Sequence, residues 1–318
     1  MRERQMLKYL LRTCSLVMLI ALTTMPSSVG SADEKSASQI RGEVWSLLLP
    51  FPILAYFVRP VGSGPFPLVI MNHGVSNDRQ EDSFFPLVEF RDAADWFAHQ
   101  GYAVIAPIGP VSSSGTFDPR DRELYELYFS SVENCDDPYS VRGSAARITA
   151  NKWIIGYMTR ERLITPDRVI VVGQSAGGWA AIALASLNPP QIRAIINFAV
   201  GRGARGDGGP NNNCESKKLV EAAREFGRTS RIPMLWIYPS NDAYFGPELS
   251  KQVHEAFTGA GGIAEYHMLP PSGSDEHFLI DSPSGIAMWA PLVSHFLNSL
   301  QSELGCDSPL KPCGPTAR

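Results

Sequence analysis

The chain has 318 residues, 44% of them hydrophobic and 19% charged, with a formal net charge of −4. That is enough apolar material for a large core without metals or staples. The surface is too acidic to hold phosphate backbones or anionic lipids, so nucleic-acid and membrane-surface binding have no compositional basis. In chain order, Arg2, Arg4, Lys8 and Arg12 lead into the apolar run Cys14 to Leu22 and then into Gly30-Ser-Ala32, the layout of a cleaved secretory signal over residues 1–32. The run is roughly half of what a bilayer span requires, so no stable membrane anchor is expected. Cleavage leaves 33–318 as a single exported domain, periplasmic or secreted, with 24 Lys/Arg against 31 Asp/Glu, net −7.

Ile40 to Arg59 alternates loosely, with Pro50 and Pro52 interrupting, and reads as one or two edge strands. Strands follow at Leu68–Met71, Tyr102–Ala106, Val169–Val172, Ala194–Phe198, Pro233–Tyr238 and Ala264–Leu269. Between them, helical spacing covers Phe85–His99, 142–160, Gly177–Leu187, Glu215–Phe226 and Pro247–Phe257. A last helix is predicted at about Ile286–Leu300, with Pro291 making it start late or kink. Short apolar strands alternating with helices predict an α/β fold, a mostly parallel sheet with helices on both faces. The irregular stretches 109–140 and 201–213 both follow strands, which puts them at the carboxyl edge, where open α/β sheets bind ligands. No internal repeat is present.

Once the signal is removed four cysteines remain, Cys135, Cys214, Cys306 and Cys313. An even count in an exported chain predicts two disulfides. Three pairings are open; Cys306 with Cys313 closes the shortest loop and leaves Cys135 for Cys214.

Gly173-Gln-Ser-Ala-Gly177 has a strand before it and a helix after it, the setting in which G-x-S-x-G forms a nucleophile elbow. Glycines are needed there because side chains would collide where strand and helix meet. A serine hydroxyl needs a base, and the order in such sites is serine, acid, histidine. Of the histidines after Ser175, His254 and His295 fall in helices and His267 in a strand, whereas His277 lies in a loop and is the candidate base. Asp242, just past the Pro233–Tyr238 strand, is the candidate acid, its alternative being a turn-capping role. Asp275 is too close in sequence to aim at the imidazole. The oxyanion donors are expected to be the Ala176 amide and that of Val75, or less securely Gly74, with His73 buttressing their loop.

These segments, Pro67-Leu-Val-Ile-Met-Asn-His-Gly, Gly173-Gln-Ser-Ala-Gly-Gly, Ser240-Asn-Asp and Asp275-Glu-His, resemble the α/β-hydrolase superfamily in its dienelactone-hydrolase-like branch, over about residues 43–300. True dienelactone hydrolases use a cysteine nucleophile; Ser175 is more similar to the serine esterases, lipases and acetylhydrolases of that branch. The resemblance implies hydrolysis of a small-molecule ester through an acyl-enzyme, with no cofactor and no metal, in a domain without a large cap. Candidate substrate contacts are Trp179, Tyr244, Phe245 and Arg202, with Tyr125, Tyr128, Phe129 and Arg205 in the long loops. For each the alternative is core packing or, for the arginines, a solvated loop charge. A peptidase or amidase, an acyltransferase and a non-catalytic binding protein are the rival readings. The sequence specifies no oligomeric state.

Overall fold

A computed structural model of the chain describes residues 39–49, 52–74, 90–110, 141–202, 213, 215–271, 273 and 277–302. The predicted signal segment, the four cysteines, Val75, Asp275, Tyr125, Tyr128, Phe129 and Arg205 lie outside the described residues.

The strands are β1 (Ile40–Leu48), β2 (Pro52–Pro60), β3 (Phe66–Asn72), β4 (Ala103–Pro110), β5 (Ile164–Gln174), β6 (Ile192–Phe198), β7 (Met234–Pro239) and β8 (Ala264–Leu269). The helices are α1 (Arg91–His99), α2 (Val141–Arg160), α3 (Ala176–Ala185), α4 (Ser216–Thr229), α5 (Pro247–Gly259) and α6 (Pro283–Ser302), with a 3-10 turn at Leu279–Asp281. The strands form one eight-stranded sheet in the order β1-β2-β4-β3-β5-β6-β7-β8. β1 and β2 pair antiparallel and β2 runs antiparallel to β4; every other pair is parallel. The loosely alternating stretch after residue 40 is therefore two strands, and the mostly parallel α/β architecture is as expected.

Alternation along each strand splits the core into two layers. On β3 and β5, Leu68, Ile70, Val169 and Val171 face the layer built with α2, α3, α4 and α5. Val69, Met71, Ile170 and Val172 face α1 and α6. Both faces are covered, so these strands read as continuous apolar runs rather than as alternating ones. No helix among the described residues is long and apolar enough to cross a membrane.

Two element boundaries depart from expectation. α1 begins only at Arg91, after Phe90 in the left-handed region at φ 47°; residues 85–89 lie outside the description. α6 starts earlier than predicted, with Pro283 suited to a first turn, and runs through Pro291. A proline inside a helix costs about 3 kcal/mol. Packing offsets it: Trp289, Val293, Phe296, Leu297 and Leu300 are all buried against the sheet. Trp289 meets Trp96 edge-on at 4.9 Å and Phe198 at 5.3 Å, and its indole N–H donates to the Ile280 carbonyl at 3.1 Å. Trp289→Ala is expected to lower unfolding free energy by about 3–5 kcal/mol, read from urea denaturation midpoints at unchanged m.

Candidate active site

β5 ends at Gln174 and α3 begins at Ala176, so Ser175 alone makes the turn between them. Its backbone sits at φ 54°, ψ −124°, a region that costs a non-glycine residue about 1–3 kcal/mol. Neighbours hold it there. The Ser175 N–H donates to Phe198 O at 3.0 Å, while Ser175 O accepts from Trp179 N at 3.0 Å and Gly201 N at 3.3 Å. A side chain at Gly173 would overlap the Gly178 backbone, and one at Gly177 would overlap the carbonyls of Asn72 and His73. The motif's glycines thus let α3 lie directly against the ends of β3 and β5. Ala176 occupies the first turn of α3, where backbone N–H groups have no acceptor within the helix and are available to an anion.

Asp242 stands three residues beyond β7 and is fully buried. Its Oδ1 accepts the N–H groups of Tyr244 at 2.7 Å and Phe245 at 2.9 Å, which closes a turn. The same carboxylate accepts the His277 Nδ1–H at 3.1 and 3.2 Å. Asp242 therefore closes its turn and fixes the imidazole at once. In the neutral tautomer that donates from Nδ1, the lone pair lies on Nε2. That is the form a general base requires. The ring is buried among aromatics, with Tyr244 at 4.3 Å and Phe245 at 5.8 Å between centroids.

Gln174 connects this pair to the serine turn. Its Nε2 donates to the His277 carbonyl at 3.1 Å and its Oε1 accepts the Gly74 N–H at 2.9 Å. The structure thus brings the His277 backbone to the residue before Ser175, and a Cβ placed on Gly74 would lie 2.9 Å from Ser175 Cβ. One expectation is corrected by this geometry: the Gly74 amide already donates to Gln174, so Gly74 is not the oxyanion donor. Val75 keeps that candidacy but lies outside the described residues.

The loop after β3 is held from beneath by a buried cation. Arg147 of α2 donates to the carbonyls of His73 and, at 3.2 Å, of Gly74. His73 Nδ1–H donates to the Gly74 carbonyl at 2.6 Å, and burial, helped by the Arg147 charge, lowers its pKa to about 3. His73 is a neutral buttress, as the sequence suggested. Arg147 was missed: a polar residue within a predicted helix carries no signal that it turns inward.

No family model matches the chain, and no curated protein matches it in sequence. Solved structures do match in shape. A Klebsiella pneumoniae protein assigned as a dienelactone hydrolase has a TM-score of 0.55 at 18% identity, over 81% of this chain and 99% of that one. A thermophilic esterase from Thermogutta terrifontis has a TM-score of 0.54 at 15% identity, over 90% and 96%. A puromycin-hydrolyzing peptidase from Mycobacterium tuberculosis has 0.52 at 16% identity, over 88% of this chain and 42% of that one. The chain has the α/β-hydrolase fold.

Within the hydrolase fold, the remaining candidates divide by burial. Trp179 is fully buried and packs on Phe226 at 5.4 Å, so it belongs to the core and leaves the set of substrate contacts. Phe245 is also buried, against Gly201 and the His277 ring, and supports the imidazole rather than facing a ligand. Tyr244 is half-buried and remains a candidate. Arg202 is no solvated loop charge: it is 7% exposed, and burial together with the Arg147 charge lowers its pKa to about 10, which leaves it cationic at neutral pH.

The segment beyond His277 is anchored by Asp281, which accepts the Ala93 N–H at 2.9 Å and so caps α1, whose own N-cap residue has no capping side-chain bond. Burial, with the charges of Asp92 and Asp95, raises the Asp281 pKa to about 6 against the opposing pull of its N–H bonds. A folded value above the unfolded one means that the folded chain holds the proton more tightly, so stability falls as pH rises from about 4 to 6. Asp281→Asn keeps an oxygen for Ala93 and removes the charge. It is expected to melt above the wild type at pH 7.5 and to converge with it near pH 4, as paired thermal scans will read.

Proposed function

We propose that the chain is an exported serine hydrolase acting on small carboxylic esters, with Ser175 as nucleophile, His277 as base and Asp242 as the residue that orients it. The observation that carries this is the buried Asp242–His277 pair, with Nδ1 on the carboxylate and the His277 backbone bonded to the residue preceding a strained serine. Structural likeness to the Thermogutta terrifontis esterase supports the ester class. Export rests on the basic lead and apolar run before residue 33.

In this reading Ser175 Oγ attacks the ester carbonyl as His277 Nε2 takes its proton. The carbonyl π electrons move onto oxygen, and the oxyanion accepts hydrogen bonds from the amides of Ala176 and Val75. Asp242 holds the Nδ1–H tautomer and stabilises the imidazolium. Collapse breaks the C–O bond to the alcohol, which leaves with the proton from Nε2. Water then repeats the sequence on the acyl-enzyme, the carboxylic acid departs, and Ser175 regains its hydrogen. Every step uses side chains and backbone of this chain, without a cofactor. Tyr244 beside the imidazole, and Arg202 for substrates that bear a carboxylate, are the proposed substrate contacts.

The purified chain is expected to hydrolyse p-nitrophenyl acetate, and Ser175→Ala and Asp242→Asn to lose at least about a thousandfold in kcat/KM. Equal rates in wild type and Ser175→Ala reject the mechanism. A matched anilide hydrolysed as fast as the ester moves the assignment to a peptidase or amidase. A folded wild type whose Ser175 resists a fluorophosphonate probe is a binding protein.

A further inference from the structure

The second position of the G-x-S-x-G motif is free to vary, yet here it carries a side chain that bonds to the backbone of both Gly74 and His277. We infer that Gln174 is a positioning residue for the reaction: its amide locks the oxyanion loop and the histidine loop to the nucleophile turn. The inference rests on the serine-hydrolase reading above and adds to it a residue outside the triad. Gln174 is 1% exposed and sits at the last position of β5. Oε1 accepts the Gly74 N–H at 2.9 Å and Nε2 donates to His277 O at 3.1 Å.

Only a side-chain amide satisfies both contacts. One end meets a donor and the other an acceptor, so the orientation of the amide is fixed by its partners. Asparagine is a methylene shorter and cannot span the two. A glutamate keeps an acceptor for Gly74 but sets a second acceptor against the His277 carbonyl. Methionine fills the space and bonds to neither. The two loops come from opposite ends of the domain's sequence, 100 and 103 residues from Gln174. The Gly74 bond holds the backbone at the end of β3 beside Ser175, so losing it frees that segment. Freeing the His277 carbonyl releases the base from the backbone side while Asp242 still holds its ring. A displacement near 1 Å at such groups costs about 100-fold in rate while ground-state binding is little changed.

The test compares wild type, Ser175→Ala, Gln174→Met and Gln174→Glu in p-nitrophenyl acetate turnover. Thermal unfolding confirms that each is folded, and proton NMR follows the His277 Nδ1–H resonance, identified by its loss in His277→Gln. Gln174→Met is expected to lose about 100-fold in kcat, with KM within about threefold of wild type and a broadened or lost Nδ1–H resonance. Gln174→Glu, which decides the matter should the methionine variant not fold, is expected to lose at least about tenfold in kcat. A folded glutamate or methionine variant with kcat within twofold of wild type and an unchanged resonance overturns the inference, provided Ser175→Ala is inactive. If Ser175→Ala matches wild type, the hydrolase reading fails instead, and the resonance alone then decides whether Gln174 holds the imidazole.

Discussion

How closely α3 approaches the ends of the central strands governs everything else at the carboxyl edge. β3, β5 and β6 are in register there, with Asn72 beside Gly173 and Gly173 beside Asn197. The helix lies on that row so tightly that no side chain fits at Gly173 or Gly177. The chain must therefore reverse from strand to helix within one residue, and that residue takes a backbone conformation it would not adopt alone. The strain at Ser175 is a result of the packing, held by bonds to Phe198 at the end of β6 and to Gly201 in the segment after it. In return Ser175 and the first turn of α3 meet at one spot on the sheet edge.

Asp242 and His277 reach that edge from distant sequence, and no single bond accounts for their placement. A hydrogen bond contributes about 1 kcal/mol net, too little to fix a loop. Several act together. Asp242 takes two backbone N–H groups besides the imidazole, which offset the cost of burying its charge. Behind His277 the Trp289 indole bonds to Ile280 and Asp281 caps α1, so the histidine segment is tied to the α1–α6 layer on one side. Gln174 ties it to the elbow on the other.

The fold was legible because both faces of the sheet are covered, so each inner strand is an apolar run and each helix a separate amphipathic stretch. The tight turn at Ser175 was legible because close packing demands glycine at fixed spacing, and the pairing of Asp242 with His277 because chain order narrows the candidates. What escaped was inward-facing polarity. Gln174 occupies a motif position that permits any residue, and Arg147 lies on a helix whose pattern does not mark it as buried; only three-dimensional neighbours reveal that both bind the loop after β3. The aromatic candidates Trp179 and Phe245 failed for the complementary reason. Large rings next to a site are indistinguishable in sequence from large rings beneath it, and both proved to be beneath.

Buried charge at this edge is unequal. Among the described residues, Arg147 and Arg202 are buried cations and Asp242 a buried anion, while His73 is kept neutral by desolvation and by Arg147. Arg147 reaches the carbonyls of the loop whose next amide is the proposed oxyanion donor, and Arg202 follows the glycine that bonds to Ser175. In the proposed reaction an oxyanion and an imidazolium develop together. Asp242 stands 3.1 Å from the ring on which the positive charge develops. The same arrangement disfavours His73 as a base, because protonating it would place a further positive charge beside Arg147, whereas His277 is paired with a buried carboxylate.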